Sequence, residues 1–185
     1  DEVERLKREL ETVLRDVERI VEEIHRENKK NLDKVKKIVE EIHKENREVL
    51  EKVRKIMEEL KDDDETLRRL LEEVDEMLDR SRRKIEELLR ESKESADRSR
   101  KKVRDLLERV KEVADRVREE VKRIDDKKLV EEVEEVVKRV EEAVEELARR
   151  LEKSTRDVVE ESKKLARELE KSLEEVKEEV RKLIT

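Results

Sequence analysis

Two histidines, each followed three residues later by an asparagine, carry the side chains best equipped for chemistry. His25 and Asn28 stand in VEEIHRENKKNLDKVKKI, Val21 to Ile38, and His43 and Asn46 in VEEIHKENREVLEKVRKI, Val39 to Ile56. An imidazole can serve as general base, metal ligand or pH sensor, since its charge changes between about pH 5 and 8. Hydroxyls that could join it are Ser81, Ser92, Ser95, Ser99, Ser154, Thr155, Ser162 and Ser172. Catalysis and metal binding both meet physical obstacles. His25 and His43 are one 18-residue unit apart, roughly 27 Å at 1.5 Å per helical residue, so they cannot share an ion. A Ser81–His43 pair would need a carboxylate to orient the imidazole, and none lies on the apolar stripe; a close-packed bundle offers no pocket. No catalytic residue, metal ligand or cofactor site is assigned, and neither an enzyme nor a small-molecule substrate is expected.

The elements that must position these residues follow from the repeat. Val3 to Ile20 is an apolar third copy: Val3, Leu6, Leu10, Val13, Leu14, Val17, Ile20. Eighteen residues make five turns of 3.6, the period of a straight helix, where a strict heptad would impose a left-handed supercoil. Helix 1 is expected over about residues 2–60, roughly 90 Å long. The stretch LKDDDETL supplies the first turn, near Lys61 to Asp63, with Asp62 and Glu65 spaced as a capping box. Helix 2 should cover about 64–124. Asp125 and Asp126 mark the second turn, where an aspartate would take the left-handed conformation that glycine usually fills. Helix 3 should run over about 127–184. The expectation is all-α: an antiparallel up-down-up three-helix bundle of long, nearly straight helices, one domain over residues 1–185.

Folding the chain at these turns aligns its polar interruptions. His43 lies as many residues before the first turn as Ser81 lies after it, and the same holds for His25 and Ser99. Across the second turn, Ser81 meets Ser172, Ser99 meets Ser154, and Ser92 meets Ser162, each to within about two residues. Two buried layers are expected. One holds His43, Asn46, Ser81 and Ser172. The other holds His25, Asn28, Ser99, Ser154 and Thr155, extended by Asn31, Ser92, Ser95 and Ser162. A buried imidazole or carboxamide without partners costs several kcal/mol, so an off-register bundle would be penalised. On this reading, replacing Asn46 alone by Leu should cost roughly 1–3 kcal/mol by orphaning its partners, and two buried imidazoles would make the core pH-responsive.

Composition narrows the remaining classes. Charged residues make up 59% of the chain and net to −7, and Gly, Pro, Cys, Phe, Tyr and Trp are absent. An acidic balance without aromatics argues against a nucleic-acid partner. No run approaches 18 apolar residues, so no bilayer-spanning segment is expected. The opening DEVERLKREL has acids where a signal peptide would be basic, so no leader is expected. One unit carries about the apolar width that one bundle core consumes, so a monomer is expected. The alternative is an assembly or binding module that forms a homo- or hetero-oligomer through apolar helix faces, for which the doublets Val13/Leu14 and Ile56/Met57 could serve.

Over its whole length the chain resembles de novo designed helical bundles of the parametrically generated kind. The resemblance rests on the 18-residue unit, the missing Gly and Pro, the EE/KK/RK surface filling and the polar layers. The Ile-His-(Arg/Lys)-Glu-Asn stretches, Ile24–Asn28 and Ile42–Asn46, resemble designs with buried histidine hydrogen-bond networks. That resemblance implies a scaffold without natural activity that changes conformation, disassembles or disrupts membranes on acidification. Many such designs are homo-oligomers of helical hairpins; three helices in one chain suit a monomer.

Overall fold

The computed structural model describes residues 2–59 and 63–184. They form three helices, α1 (Glu2–Glu59), α2 (Asp64–Val121) and α3 (Lys127–Ile184), each of 58 residues. The inner faces are rich in valine, which by itself favours strands. The helical period overrides that preference, supported by the Glu, Lys, Arg and Leu around it. On α1 the buried positions Val3, Leu6, Leu10, Val13, Val17, Val21 and Ile24 advance by threes and fours, which keeps them on one face.

The chain divides into two compact units, Asp1–Lys29 with Ser95–Asp157 and Lys30–Glu94 with Val158–Thr185. Each takes a segment from every helix and has its own core. In the first, the α1 stripe packs with Leu106, Val110, Ala114, Val117 and Val121 of α2 and Val133, Val137, Val140, Val144 and Leu151 of α3. In the second, Val35, Val39, Ile42, Val53 and Met57 pack with Leu70, Val74, Met77, Leu78, Ile85 and Leu88, and with Ala166, Leu169, Leu173, Val176 and Val180. Each fully buried aliphatic side chain is worth roughly 1.5–3 kcal/mol, so these stripes supply most of the stabilisation.

Ion pairs on the rims report the helix directions. In the first unit Arg5 pairs with Glu120 at 2.9 Å and Asp16 with Arg109 at 2.9 Å. The α2 number falls as the α1 number rises, so α1 and α2 are antiparallel. In the same unit Lys7 pairs with Glu132 at 3.7 Å, and the buried Asn28 donates to Thr155 at 3.2 Å. There the two numbers rise together, so α1 and α3 are parallel. The bundle is up-down-up, as the turn positions require. Most of these side chains are well exposed, so each pair contributes at most about 1 kcal/mol.

Both turns differ in detail from the sequence expectation. Asp62, assigned above to a capping box with Glu65, lies outside the described residues, as do Leu60 and Lys61. The cap observed on α2 is Asp63. Its Oδ1 accepts from the backbone N–H groups of Glu65 at 3.2 Å and Thr66 at 3.4 Å. The Thr66 hydroxyl donates to its Oδ2 at 2.9 Å. At the second turn no described residue has a positive φ, so the expected left-handed aspartate is not used. Helix α2 ends at Val121, earlier than the expected 124, and closes with two short-range bonds. The N–H of Arg123 reaches the carbonyl of Glu120 at 3.2 Å, and that of Ile124 reaches Val121 at 3.0 Å. Such tightened turns satisfy terminal carbonyls without a left-handed residue. Asp126 instead caps α3, accepting from the Lys128 N–H at 3.0 Å.

The hydrogen bonds from the Thr66 hydroxyl and backbone hold the Asp63 carboxyl below the usual carboxylate range. A depressed folded-state value means the stabilisation is complete above the unfolded pKa of about 3.9 and is lost as pH falls through the lower folded value. Asp63→Ala should therefore lower the denaturant midpoint at pH 7, and its deficit relative to the parent should shrink below about pH 4. Asp63→Asn caps without ionising and should keep its advantage over Asp63→Ala at low pH. Urea titrations of the three proteins at pH 7 and pH 3 measure both effects.

Candidate functional site

The polar residues singled out above take three kinds of place. Fully buried are Asn28, Asn46, Ser81, Ser92, Ser95, Ser99, Thr155 and Ser162. Asn31, His43, Ser154 and Ser172 are half-buried, and His25 is exposed. The expected burial of both imidazoles is thus corrected. Each histidine follows an isoleucine of the core stripe, Ile24 or Ile42, by one residue. One helical residue turns about 100°, which carries the imidazole off the inner face. The asparagine, four residues after the isoleucine, returns to it. Ser154 and Ser172 likewise sit one residue before the buried Thr155 and Leu173. His25 and His43 are five whole turns apart and share a face, so the greater burial of His43 comes from the facing helices.

Two hydrogen bonds join helices through the interior. In the first unit, Asn28 Nδ2 donates to Thr155 Oγ1 at 3.2 Å, linking α1 to α3. In the second, the Ser92 hydroxyl donates to Ser162 Oγ at 3.2 Å, linking α2 to α3. The Ser162 hydroxyl in turn donates to the Val158 carbonyl at 2.8 Å, the i−4 back-bond open to a mid-helix serine. Among the described residues neither histidine makes a hydrogen bond. The extended layers resolve into these two local pairs. Asn31, Ser95 and Ser154 join neither pair.

Of the remaining buried groups, both amide atoms of Asn46 and the hydroxyls of Ser81 and Ser99 have no hydrogen-bond partner among the described residues. The repeat explains Asn46. Asn28, Ser99 and Thr155 mark one height in the first unit. Moving each by 18 residues, forward on α1 and α3 and backward on α2, reaches Asn46, Ser81 and Leu173. Where Thr155 offers Asn28 a hydroxyl, the corresponding position for Asn46 is Leu173, an aliphatic residue that neither donates nor accepts. This residue was not foreseen; comparing the two repeats position by position on α3 would have revealed it.

Beside this position, α1 and α3 leave a groove of ≈ 440 Å³ lined by His43, Asn46 and Ser172 and by the charged Glu40, Arg47, Glu175 and Glu179. The expectation that packing leaves no pocket is corrected to that extent. Ser81 is not among its lining residues, so the nucleophile–base pair considered above does not meet there. Among the described residues no three His, Asp or Glu side chains are placed to hold a metal ion. No described helix is long and apolar enough to cross a membrane.

No family model and no curated protein matches the sequence. Among solved structures, one described as "Computationally designed three helix bundle" aligns with a TM-score of 0.62 over 98% of this chain and 90% of its own, at 20% identity. At that identity the likeness carries the fold.

The two asparagines should answer substitution differently, and Asn46 opposite to the sequence expectation. Asn28→Leu breaks a hydrogen bond and strands the Thr155 hydroxyl, whereas Asn46→Leu removes a carboxamide with no partner to strand. Stability after Asn46→Leu should exceed that after Asn28→Leu by about 1–3 kcal/mol, and Asn46→Leu alone should raise it above the parent. Guanidinium denaturation with a shared m-value measures the difference.

Proposed function

We propose that this chain is a designed structural scaffold with no natural substrate, whose buried polar side chains select the register of three otherwise similar helices. The observation that carries this reading is the Asn28–Thr155 bond inside an aliphatic core. A shift of one helix past another would bury both groups unpaired, at a cost of about 1–3 kcal/mol each. The Ser92–Ser162 bond restricts α2 against α3 in the same way. A composition without glycine or proline supports a designed origin, since natural turns draw heavily on both. The designed three-helix bundle that shares the fold supports it too.

Acid response through buried histidines, and with it membrane disruption at low pH, draws no support from the burial pattern. His25 is exposed, so charging it removes nothing from the core, and His43 is half-buried beside the carboxylates of Glu40 and Glu175. Light scattering coupled to size exclusion, with circular dichroism, at pH 7.5 and pH 4.5 tests the reading. A particle of 22.5 kDa with unchanged helicity at both values is expected. A multiple of that mass would favour an assembly module built on apolar helix faces. Helix loss at pH 4.5 that disappears when both histidines become Asn would favour the acid switch.

A further inference from the structure

We propose that the position of Asn46 is a seam at which the second unit opens locally, parting α1 around His43–Leu50 from α3 around Ser172–Val176 while the rest of the unit stays folded. Three polar atoms point to it. The two amide atoms of Asn46 and the Ser81 hydroxyl are buried without partners, in residues 3% and 0% exposed. Each forgoes the hydrogen bonds that water supplies in the open state, so local opening recovers them while a fully apolar layer would recover nothing. The first unit has one such atom at the matching height, the Ser99 hydroxyl, because Thr155 receives the Asn28 amide. With Leu173 in place of Thr155 the two Asn46 amide atoms join the Ser81 hydroxyl, and the second unit has three.

The groove supplies the route. It already separates the α1 and α3 rims beside Asn46, and Glu40, Arg47, Glu175 and Ser172 give it a wall that water wets readily. Opening therefore extends an existing groove with a polar wall by the depth of one side-chain layer and does not nucleate a new cavity in aliphatic packing. Local openings of this kind are drawn from the least satisfied part of a fold. The device is conformational and places the mobile element on the half-buried face of His43.

Native-state hydrogen exchange of the full chain at low denaturant, read by mass spectrometry, tests this. The seam segments are 42–50 and 169–177. The reference segments are 11–19 and 134–142, which lie about as far from a helix end and carry apolar inner faces. Amides of the seam segments should exchange about tenfold faster than the reference ones. In the double variant Asn46→Leu, Ser81→Ala the seam-to-reference ratio should shrink to about threefold or less, beyond any slowing that the two sets of segments share. Equal exchange in the parent protein overturns the proposal. So does a seam-to-reference ratio that persists in the double variant, which would assign the faster exchange to fraying, whether or not both sets of segments slow together through added global stability.

Discussion

Five turns of α-helix consume 18 residues, so a side chain and its counterpart 18 positions later leave the helix in the same direction. This geometric constraint organises the protein. It lets a single aliphatic stripe stay on one face along each of three 58-residue helices. It also lets one repeat be compared with the next atom for atom. The valines that lead the apolar residues of α3 are helical because this period, and not their intrinsic preference, decides which face they bury.

Within that frame the polar residues divide by whether the facing helix supplies a partner. Asn28 and Thr155 satisfy one another, as do Ser92 and Ser162. Asn46 does not find a partner, because the repeat puts Leu173 where Thr155 stands. A buried amide is costly only when unpaired, and the same residue type on the same face is paired in one unit and unpaired in the other. A single aliphatic side chain on a different helix makes that difference.

The surface carries direction more than energy. Ion pairs such as Arg5–Glu120 and Lys7–Glu132 are exposed or partly so and individually weak. Their consistent offsets nonetheless agree with the core on which helices run together and which run opposed. Interspersed charges of both signs along the rims also suit a well-solvated surface. Stripe, turn and rim thus agree on one arrangement of the three helices.

Periodicity and the aspartate clusters were enough to place three helices, their order and the approximate turns, because a helical period and a helix cap are local properties of the chain. Local pattern also placed Asn28 and Asn46 on the inner face, four residues beyond Ile24 and Ile42. What it could not supply was the surroundings. Whether Asn46 has a partner depends on Leu173, more than a hundred residues away on another helix. Whether His43 is more covered than His25 depends on neighbours, since both occupy the same face of α1. Which aspartate caps a helix depends on how the chain enters it, and the second turn closed by tightened backbone bonds where a left-handed residue had been expected. Burial and hydrogen bonding belong to pairs of side chains brought together across helices, and only the tertiary structure decides those pairs.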